Sequence, residues 1–254
     1  MEVLGIDIGG SAVKGAVVQT ENGLFLTDRI RLETKDKIKP KKMGELINNI
    51  INQFSWNGIV GIGFPGVVKD GTANTAANVN SKWIGININE LIKKMTGLTS
   101  YSVNDADAAG LTEITMGAGK EYHDEITIML TLGTGIGSAI FVKGNLLPNT
   151  EFGHLKIRGK EAEKRCSASV KVEKNLGWKE WAILLQEYLD MLEFLLNPDI
   201  IIIGGGISKD HEKYFPLIRT RAKLMPAKYF NQAGIIGSAL FAAHMHNRDR
   251  IVKN

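Results

Sequence analysis

Leu4–Val18 reads L-G-I-D-I-G-G-S-A-V-K-G-A-V-V, and the way this stretch turns decides the fold. An apolar run bearing one acid, Asp7, meets Gly9 and Gly10, then Ser11, then a second apolar run bearing Lys14. The pattern is strand, tight turn, strand. Without Cβ atoms, Gly9 and Gly10 let an anion approach the backbone N–H groups closely. Ser11 adds a donor and Lys14 a compact positive charge. Asp7, at the mouth of the strand, suits Mg2+ held directly or through water. A plain β-hairpin with a Gly-Gly turn accounts for the same residues without any ligand.

The pattern returns. Met129–Val142 reads M-L-T-L-G-T-G-I-G-S-A-I-F-V, again a strand, a glycine-rich turn with hydroxyls, and a strand. Gly9 overlays Gly133, and Val18 overlays Val142. A half-chain repeat points to duplication, with one phosphate-gripping turn in each half. The second turn (Gly133, Thr134, Gly135, Gly137) lacks the spacing and helical continuation of a dinucleotide fingerprint. A third glycine stretch, Gly204-Gly205-Gly206, follows the apolar run Ile200–Ile203. Gly205 and Gly206 there admit a nucleotide or phosphate, or make an ordinary turn.

The chain has 254 residues, enough for two modest domains around a cleft. Hydrophobic residues make up 44% and charged residues 23%, the balance of an ordinary globular protein. A net charge of +4 and a pI of about 9.0 suit an anionic substrate and do not imply nucleic acid. Cations gather at Lys35, Lys37, Lys39, Lys41 and Lys42, and again at Arg219, Arg221, Lys223 and Lys228. Such runs are first of all solvated surface, and second a polyanion track. The one cysteine, Cys166, has no intrachain partner, which points to a reduced, cytoplasmic setting. The first strand begins within a few residues of Met1 and leaves no room for a signal peptide. No apolar run reaches the ~18 residues of a membrane helix.

Apolar periodicity predicts helices over Met43–Phe54, Asn89–Thr96, Ala108–Met116, Ala162–Val170, Trp178–Leu196, His211–Leu224 and Gly234–His246. Strands are predicted at Leu24–Leu32, Ile59–Phe64, Tyr101–Val103, Ile126–Leu132, Ile136–Lys143 and Ile200–Ile203, with a basic loop over Lys35–Lys42. Asn74, Asn78 and Asn80 lie in an amide-rich loop and suit either sugar hydroxyls or turn geometry. Asn104 and Asp105 fall at a strand-to-helix junction. Asp105 is there either a helix cap or a general base for phosphoryl transfer to an alcohol. Asp107 reads as a cap or a solvent-facing acid. In E-F-G-H, a glycine lets the chain bend so that Glu151 and His154 aim at one ligand.

In order and spacing, D-I-G-G-S-x-x-K (Asp7–Lys14), G-F-P-G (Gly63–Gly66), N-D-A-D-A-A (Asn104–Ala109), L-G-T-G-I-G (Leu132–Gly137), E-F-G-H (Glu151–His154) and I-I-G-G-G-I-S (Ile202–Ser208) resemble the ROK family of sugar kinases, within the actin-like ATPase superfamily. The resemblance implies an α/β, two-lobed, ribonuclease H-like fold with duplicated β-hairpin phosphate loops and a central cleft. The N-terminal lobe is expected over residues 1–117, completed by the helix over 234–246, and the C-terminal lobe over 118–233. Asp105 is then the catalytic base. Asn104, Glu151 and His154 are sugar ligands, with Asn78 a weaker carry-over. E-K-R-C-S resembles the family's E-x-x-A-S and makes Glu163 a further sugar ligand. The turns at Gly9-Gly10 and Gly133–Gly137 hold phosphates, Gly205 and Gly206 lie near the donor, and Mg2+ sits near Asp7.

Many family members carry a zinc site, C-x-C-G-x-x-G-C, after the E-x-G-H histidine. Residues His154–Glu163 contain no cysteine, so no four-ligand zinc is expected, and His154 is left to the sugar alone. The missing zinc motif, N-T-A-A-N-V-N-S-K-W-I-G (Asn74–Gly85) and L-G-W-K-E-W-A (Leu176–Ala182) resemble the polyphosphate glucokinase branch. This implies a homodimeric glucokinase that passes a phosphoryl group from inorganic polyphosphate, ATP or both to the 6-hydroxyl of glucose. The rivals are an ATP-dependent kinase for mannose or fructose, a sugar-binding regulator without turnover, and an actin-like scaffold. Asp7 with Asp105 argues against the regulator, and E-F-G-H with N-D argues against the scaffold. The repressor branch carries an N-terminal DNA-binding extension. This chain begins at its first strand, so a DNA-binding role is not expected.

Overall fold

Strand and helix patterns punctuated by glycine turns build two units in the computed structural model, which describes residues 1–34, 37–76 and 79–253. Met1–Thr112 groups with Gln232–Asn254, and Glu113–Asn231 forms the second unit. The division falls ahead of the expected lobe boundary at residue 117.

In the first unit, β1 (Glu2–Ile8) and β2 (Ala12–Gln19) form an antiparallel hairpin with Asp7 opposite Lys14. The strand expected over Leu24–Leu32 is two pieces, β3 (Leu24–Phe25) and β4 (Ile30–Glu33), both paired with β2. Between them Thr27 Oγ1 accepts the Val17 N–H at 3.1 Å, so a side chain replaces a ladder carbonyl and the strand breaks. Next, α1 (Pro40–Gln53) begins inside the expected basic loop, because Pro40 presets the first helical turn. It buries Met43, Ile47, Ile50 and Ile51. Parallel to β1 runs β5 (Val60–Phe64), followed by a small hairpin of β6 (Val68–Lys69) and β7 (Thr72–Ala73). Asn87 caps α2 (Ile88–Thr96), and left-handed Gly97 ends it. The last strand, β8 (Ser100–Asn104), pairs in parallel with β5 and runs directly into α3 (Asp105–Met116). The sheet order is β3-β2-β1-β5-β8, with β4 also on β2.

The second unit repeats this plan. An antiparallel hairpin of β9 (Ile126–Leu132) and β10 (Ile136–Val142) has β11 (Asn145–Leu147) on its outer side. A two-stranded ribbon follows, β12 (Lys156–Ile157) with β13 (Lys160–Glu161). The helix expected over Ala162–Val170 is two, α4 (Glu163–Cys166) and α5 (Ala168–Glu173). Ser167 divides them by accepting the Val170 N–H and capping the second. The long helix α6 (Trp178–Leu196) buries Trp181, Leu185, Tyr188, Leu189 and Leu192. Then β14 (Ile200–Gly204) runs parallel to β9.

The helix expected over His211–Leu224 is absent. The chain instead makes 3-10 turns at Gly206–Lys213 and Phe215–Leu217, then β15 (Lys223–Pro226), parallel to β14. Pro216 cannot donate a helical hydrogen bond, and Tyr214 is drawn fully into the core. The sheet order is β11-β10-β9-β14-β15, strand for strand the plan of the first.

The chain returns to the first unit as α7 (Ala233–Lys253), longer than the expected 234–246. This helix lies so close to its neighbours that only glycine fits. A Cβ on Gly61 would stand 2.0 Å from the Ser238 carbonyl oxygen, and one on Gly237 would stand 1.6 Å from that of Ala108. Each unit has its own core: Ile6, Ile47, Ile62 and Trp83 in the first, Leu130, Trp181, Tyr188 and Ile201 in the second. Full burial of such a side chain contributes about 1.5–3 kcal/mol. Among the described residues, no helix is long and apolar enough to cross a membrane.

Candidate active site

Because β1, β5 and β8 are parallel, their C-terminal ends share one edge of the first sheet, where α/β sheets gather ligands. Three motifs end there. Register places Asp7 beside Gly63 and Phe64 beside Asn104. In the first turn the Gly9 N–H closes on the Ala12 carbonyl at 2.9 Å. Thr34 holds the turn from the side, its N–H on the Ser11 carbonyl at 2.9 Å and its hydroxyl on that of Gly10 at 3.4 Å. Among the described residues the N–H groups of Gly10 and Ser11 meet no acceptor, and both residues are exposed. That is the arrangement an anion needs.

Asp7 and Lys14 pair with one another at 3.2 Å, so the lysine charge is shared rather than wholly available to a phosphate. A Cβ on Gly234 would stand 2.9 Å from the Asp7 carboxyl carbon. The first turn of α7 therefore abuts this carboxylate, where helix N–H groups favour negative charge. One carboxylate beside an anion-binding turn is a donor set that fits Mg2+, which keeps most of its waters and shares phosphate oxygens.

The cap at α3 belongs to Asn104, not Asp105. Asn104 Oδ1 accepts the N–H of Ala106 at 2.8 Å and of Asp107 at 3.0 Å, and Nδ2 donates to the Gly66 carbonyl at 3.1 Å. Buried Asn104 thus ties the G-F-P-G loop to α3. Asp105, half-buried in the first helical turn, also accepts the Ala106 N–H at 2.8 Å. Asp107 is fully buried, not at a cap or the surface. Asn78 lies outside the described residues. Asn80 supports local turn geometry, accepting the Lys82 N–H at 3.0 Å and donating to the Lys37 carbonyl at 3.2 Å.

In the second unit the Gly133 N–H closes on the Gly135 carbonyl at 3.0 Å. Ser169 in α5 fastens the carbonyl side, its N–H on Gly133 O at 3.1 Å and its hydroxyl on Thr134 O at 2.8 Å. Gly205, left-handed at φ 81°, presses on the strand that enters this turn, where a Cβ would stand 2.2 Å from the Leu132 carbonyl oxygen. Gly206 follows it.

Ser138 serves the E-F-G-H loop rather than the turn. Its hydroxyl donates to Thr150 O at 2.8 Å and accepts the Phe152 N–H at 2.9 Å. A Cβ on Gly153 would stand 2.1 Å from Ile136 O, so E-F-G-H rests directly on β10.

Glu151, Phe152, His154 and Leu155 line a cavity of about 290 Å³. His154 Nε2 is 4.0 Å from Glu151 Oε2, and its Nδ1 is 3.6 Å from Glu161 Oε1 and 3.8 Å from Glu163 Oε1. Burial pushes the Glu151 carboxyl up, while His154 opposes that shift and Glu163 adds to it. Lys164, paired with Glu161, holds that carboxyl down. His154 is therefore not left alone: its ring faces three carboxylates, and with Glu161 and Glu163 it gathers ligand-type atoms within 4.8 Å. Glu161 escaped the sequence reading because its place is set by the turn of the β12–β13 ribbon, not by spacing from His154. Glu113 escaped it too. Buried, it accepts the N–H groups of Ala118, Lys228 and Tyr229 and holds their loops together. Cys166 is buried, donates to the Ala162 carbonyl at 3.3 Å, and has its thiol pushed up to about 12 by burial.

A family model described as the ROK family matches residues 3–177. The polyphosphate glucokinase of Mycobacterium tuberculosis (strain ATCC 25618 / H37Rv) is 44% identical over 237 residues, covering 93% of this chain and 89% of that protein. The crystal structure of an inorganic polyphosphate/ATP-glucomannokinase from Arthrobacter sp. strain KM matches with a TM-score of 0.92 at 39% identity, over 96% of this chain and 99% of that one. A ROK family glucokinase from Streptomyces griseus, solved with glucose and AMPPNP, shares the fold, with a TM-score of 0.80 at 22% identity over 96% of this chain and 100% of that one.

Proposed function

This chain belongs to the ROK family, and from that premise we propose that it is a glucokinase taking its phosphoryl group from inorganic polyphosphate, ATP or both. The observation that carries the reading is a pair of equivalent glycine turns, the first on the sheet edge that also presents Asp105. A scaffold has no need of that acid beside an anion turn.

In this mechanism Asp105 takes the proton of the glucose 6-hydroxyl as its oxygen attacks the terminal phosphorus. The bond from that phosphorus to the bridging oxygen breaks, and ADP or a polyphosphate shorter by one unit leaves. The N–H groups of Gly10, Ser11 and the Gly133–Gly137 turn donate to phosphoryl oxygens as charge spreads over them. Gly9 shapes the first turn, and Lys14 adds charge there. Asp7 would hold Mg2+, which would supply neutralisation of the donor phosphates. Glu151, His154 and Glu163 bind sugar hydroxyls. Asn104 keeps Asp105 in place and belongs to the same set, as does Asn78. Gly205 and Gly206 lie on the donor side. The same reading makes the enzyme a zinc-free homodimer of the cytoplasm.

The test is direct. The purified chain receives glucose and Mg2+, with ATP in one tube and polyphosphate in another, and glucose 6-phosphate is measured. Product from polyphosphate is expected. Product from ATP alone removes polyphosphate as a donor. No product from either donor, with glucose, mannose or fructose, overturns the kinase and leaves a sugar-binding regulator.

A further inference from the structure

Glu161 has no part in the chemistry above, yet its surroundings fix where it points. The ribbon that carries it turns through Arg158 and Gly159, left-handed at φ 50° and 77°, the two-residue turn that matches the twist of paired strands. Register sets Glu161 opposite Lys156, and the Ala162 N–H closes on the Leu155 carbonyl at 2.8 Å. Arg158 meets Glu187 of α6 at 2.8 Å, and Arg165 of α4 meets the same carboxylate. Ribbon and α4 are thus both tied to the long helix. The two oxygens of Glu161 face different ways: Oε2 pairs with Lys164, and Oε1 lies 3.6 Å from His154 Nδ1.

Lys164 holds the Glu161 carboxyl below its ordinary value, with His154 and Lys156 adding to the shift, so a carboxylate faces Nδ1. The separation is ion-pair reach rather than a full hydrogen bond, and such contacts tighten when a substrate seats. Glu163 Oε1 stands 3.8 Å from the same nitrogen, and Glu151 Oε2 stands 4.0 Å from the other, Nε2. Burial pushes the Glu151 carboxyl up, so negative charge is less firmly held on the Nε2 side. A neutral imidazole keeps its proton on the nitrogen with the better acceptor, and its other nitrogen then accepts. We propose that Glu161 is a positioning residue: it keeps the proton of neutral His154 on Nδ1, so that Nε2, on the Glu151 side, accepts a sugar hydroxyl. Glu163 is then left to the sugar. This rests on the reading of His154 as a sugar ligand given above.

The experiment uses the whole chain with ring-15N histidine at about pH 8, where an ordinary imidazole is neutral. Two-bond 1H–15N spectra read the tautomer, and the signals lost in His154→Gln assign this ring among the five histidines. The wild type should carry the His154 proton on Nδ1, and Glu161→Ala should move it toward Nε2. Calorimetry should show glucose affinity about fivefold weaker in Glu161→Ala, the size of one ordinary hydrogen bond. KM for glucose should rise to match, with kcat within about twofold of the wild type. Glu161→Gln, whose side-chain carbonyl still accepts the Nδ1 proton, should recover most of the affinity. In a His154→Gln background, Glu161→Ala should cost nothing further, because the two residues act as one. A wild-type proton on Nε2, unchanged glucose affinity in Glu161→Ala, or the same loss in both backgrounds overturns the proposal. If His154→Gln itself binds glucose normally, His154 loses its sugar role and Glu161 loses this one with it. A wild type that binds glucose without turnover ends the kinase reading and leaves the Glu161 result standing.

Discussion

The two units share a strand plan and use it differently. Both hairpins turn over three residues, 9–11 and 133–135, and both have a parallel strand on the same flank. On the overlay that sets Gly9 on Gly133, Asp7 falls on Thr131 and Lys14 on Ser138. The first turn thus carries a charged pair at its mouth. The second is neutral there. Its carbonyls are held by α5, and the serine in the lysine's place fastens the E-F-G-H loop instead. One strand plan thus carries a charged pair in the first copy and, at the same positions, two neutral residues in the second, where Ser138 is turned to fastening a neighbouring loop.

The sharpest way to break this contrast is Asp105→Asn. It should lower kcat by about 10²–10⁴-fold while calorimetry shows glucose binding little changed. Near-normal turnover would move the proton chemistry off the first unit. A pair of clashes comes next. Gly237→Ala should destabilise the fold by about 1–3 kcal/mol, read as a lower melting midpoint, because its Cβ meets backbone that cannot give way. Gly153→Ala meets the same obstacle at Ile136 and should also raise KM for glucose. If both change stability alone, the second unit does not position sugar through this contact.

Smaller is Ser138→Ala, which should cost about 1 kcal/mol and raise KM for glucose several-fold with kcat nearly kept. An effect on the donor alone would return Ser138 to the turn. The smallest effect is a pH slope. Burial raises the Glu151 carboxyl, so folding favours its protonated form. The wild type should lose stability relative to Glu151→Gln as pH rises above the ordinary value of 4.5, and the gap should stop changing below it. Parallel melting curves across that range would show Glu151 to be solvated like any surface acid.

The hairpins and the strands at Ile59–Phe64 and Ile200–Ile203 were legible because glycine spacing and apolar runs are local signals, whereas their parallel pairing was not. The failures came where a partner distant in sequence decides the outcome. Lys223–Pro226 shows no alternation and is a strand only because β14 lies beside it. Asn104 and Asp105 are adjacent, and spacing does not say which one caps. The Gly66 carbonyl, reached through the fold, settles it for Asn104. Asp107 resembles a surface acid until α3 turns it inward. Glu161 joins His154 only through the β12–β13 ribbon.

Cys166 is the chain's single cysteine, sealed in the second core and protonated at neutral pH. An alkylating reagent reaches it only when that core opens, so its labelling rate counts openings without any attached dye. Glu163 starts the same helical turn. A sugar that holds Glu163 should slow the labelling, which gives the native protein an occupancy gauge that needs no donor and no turnover.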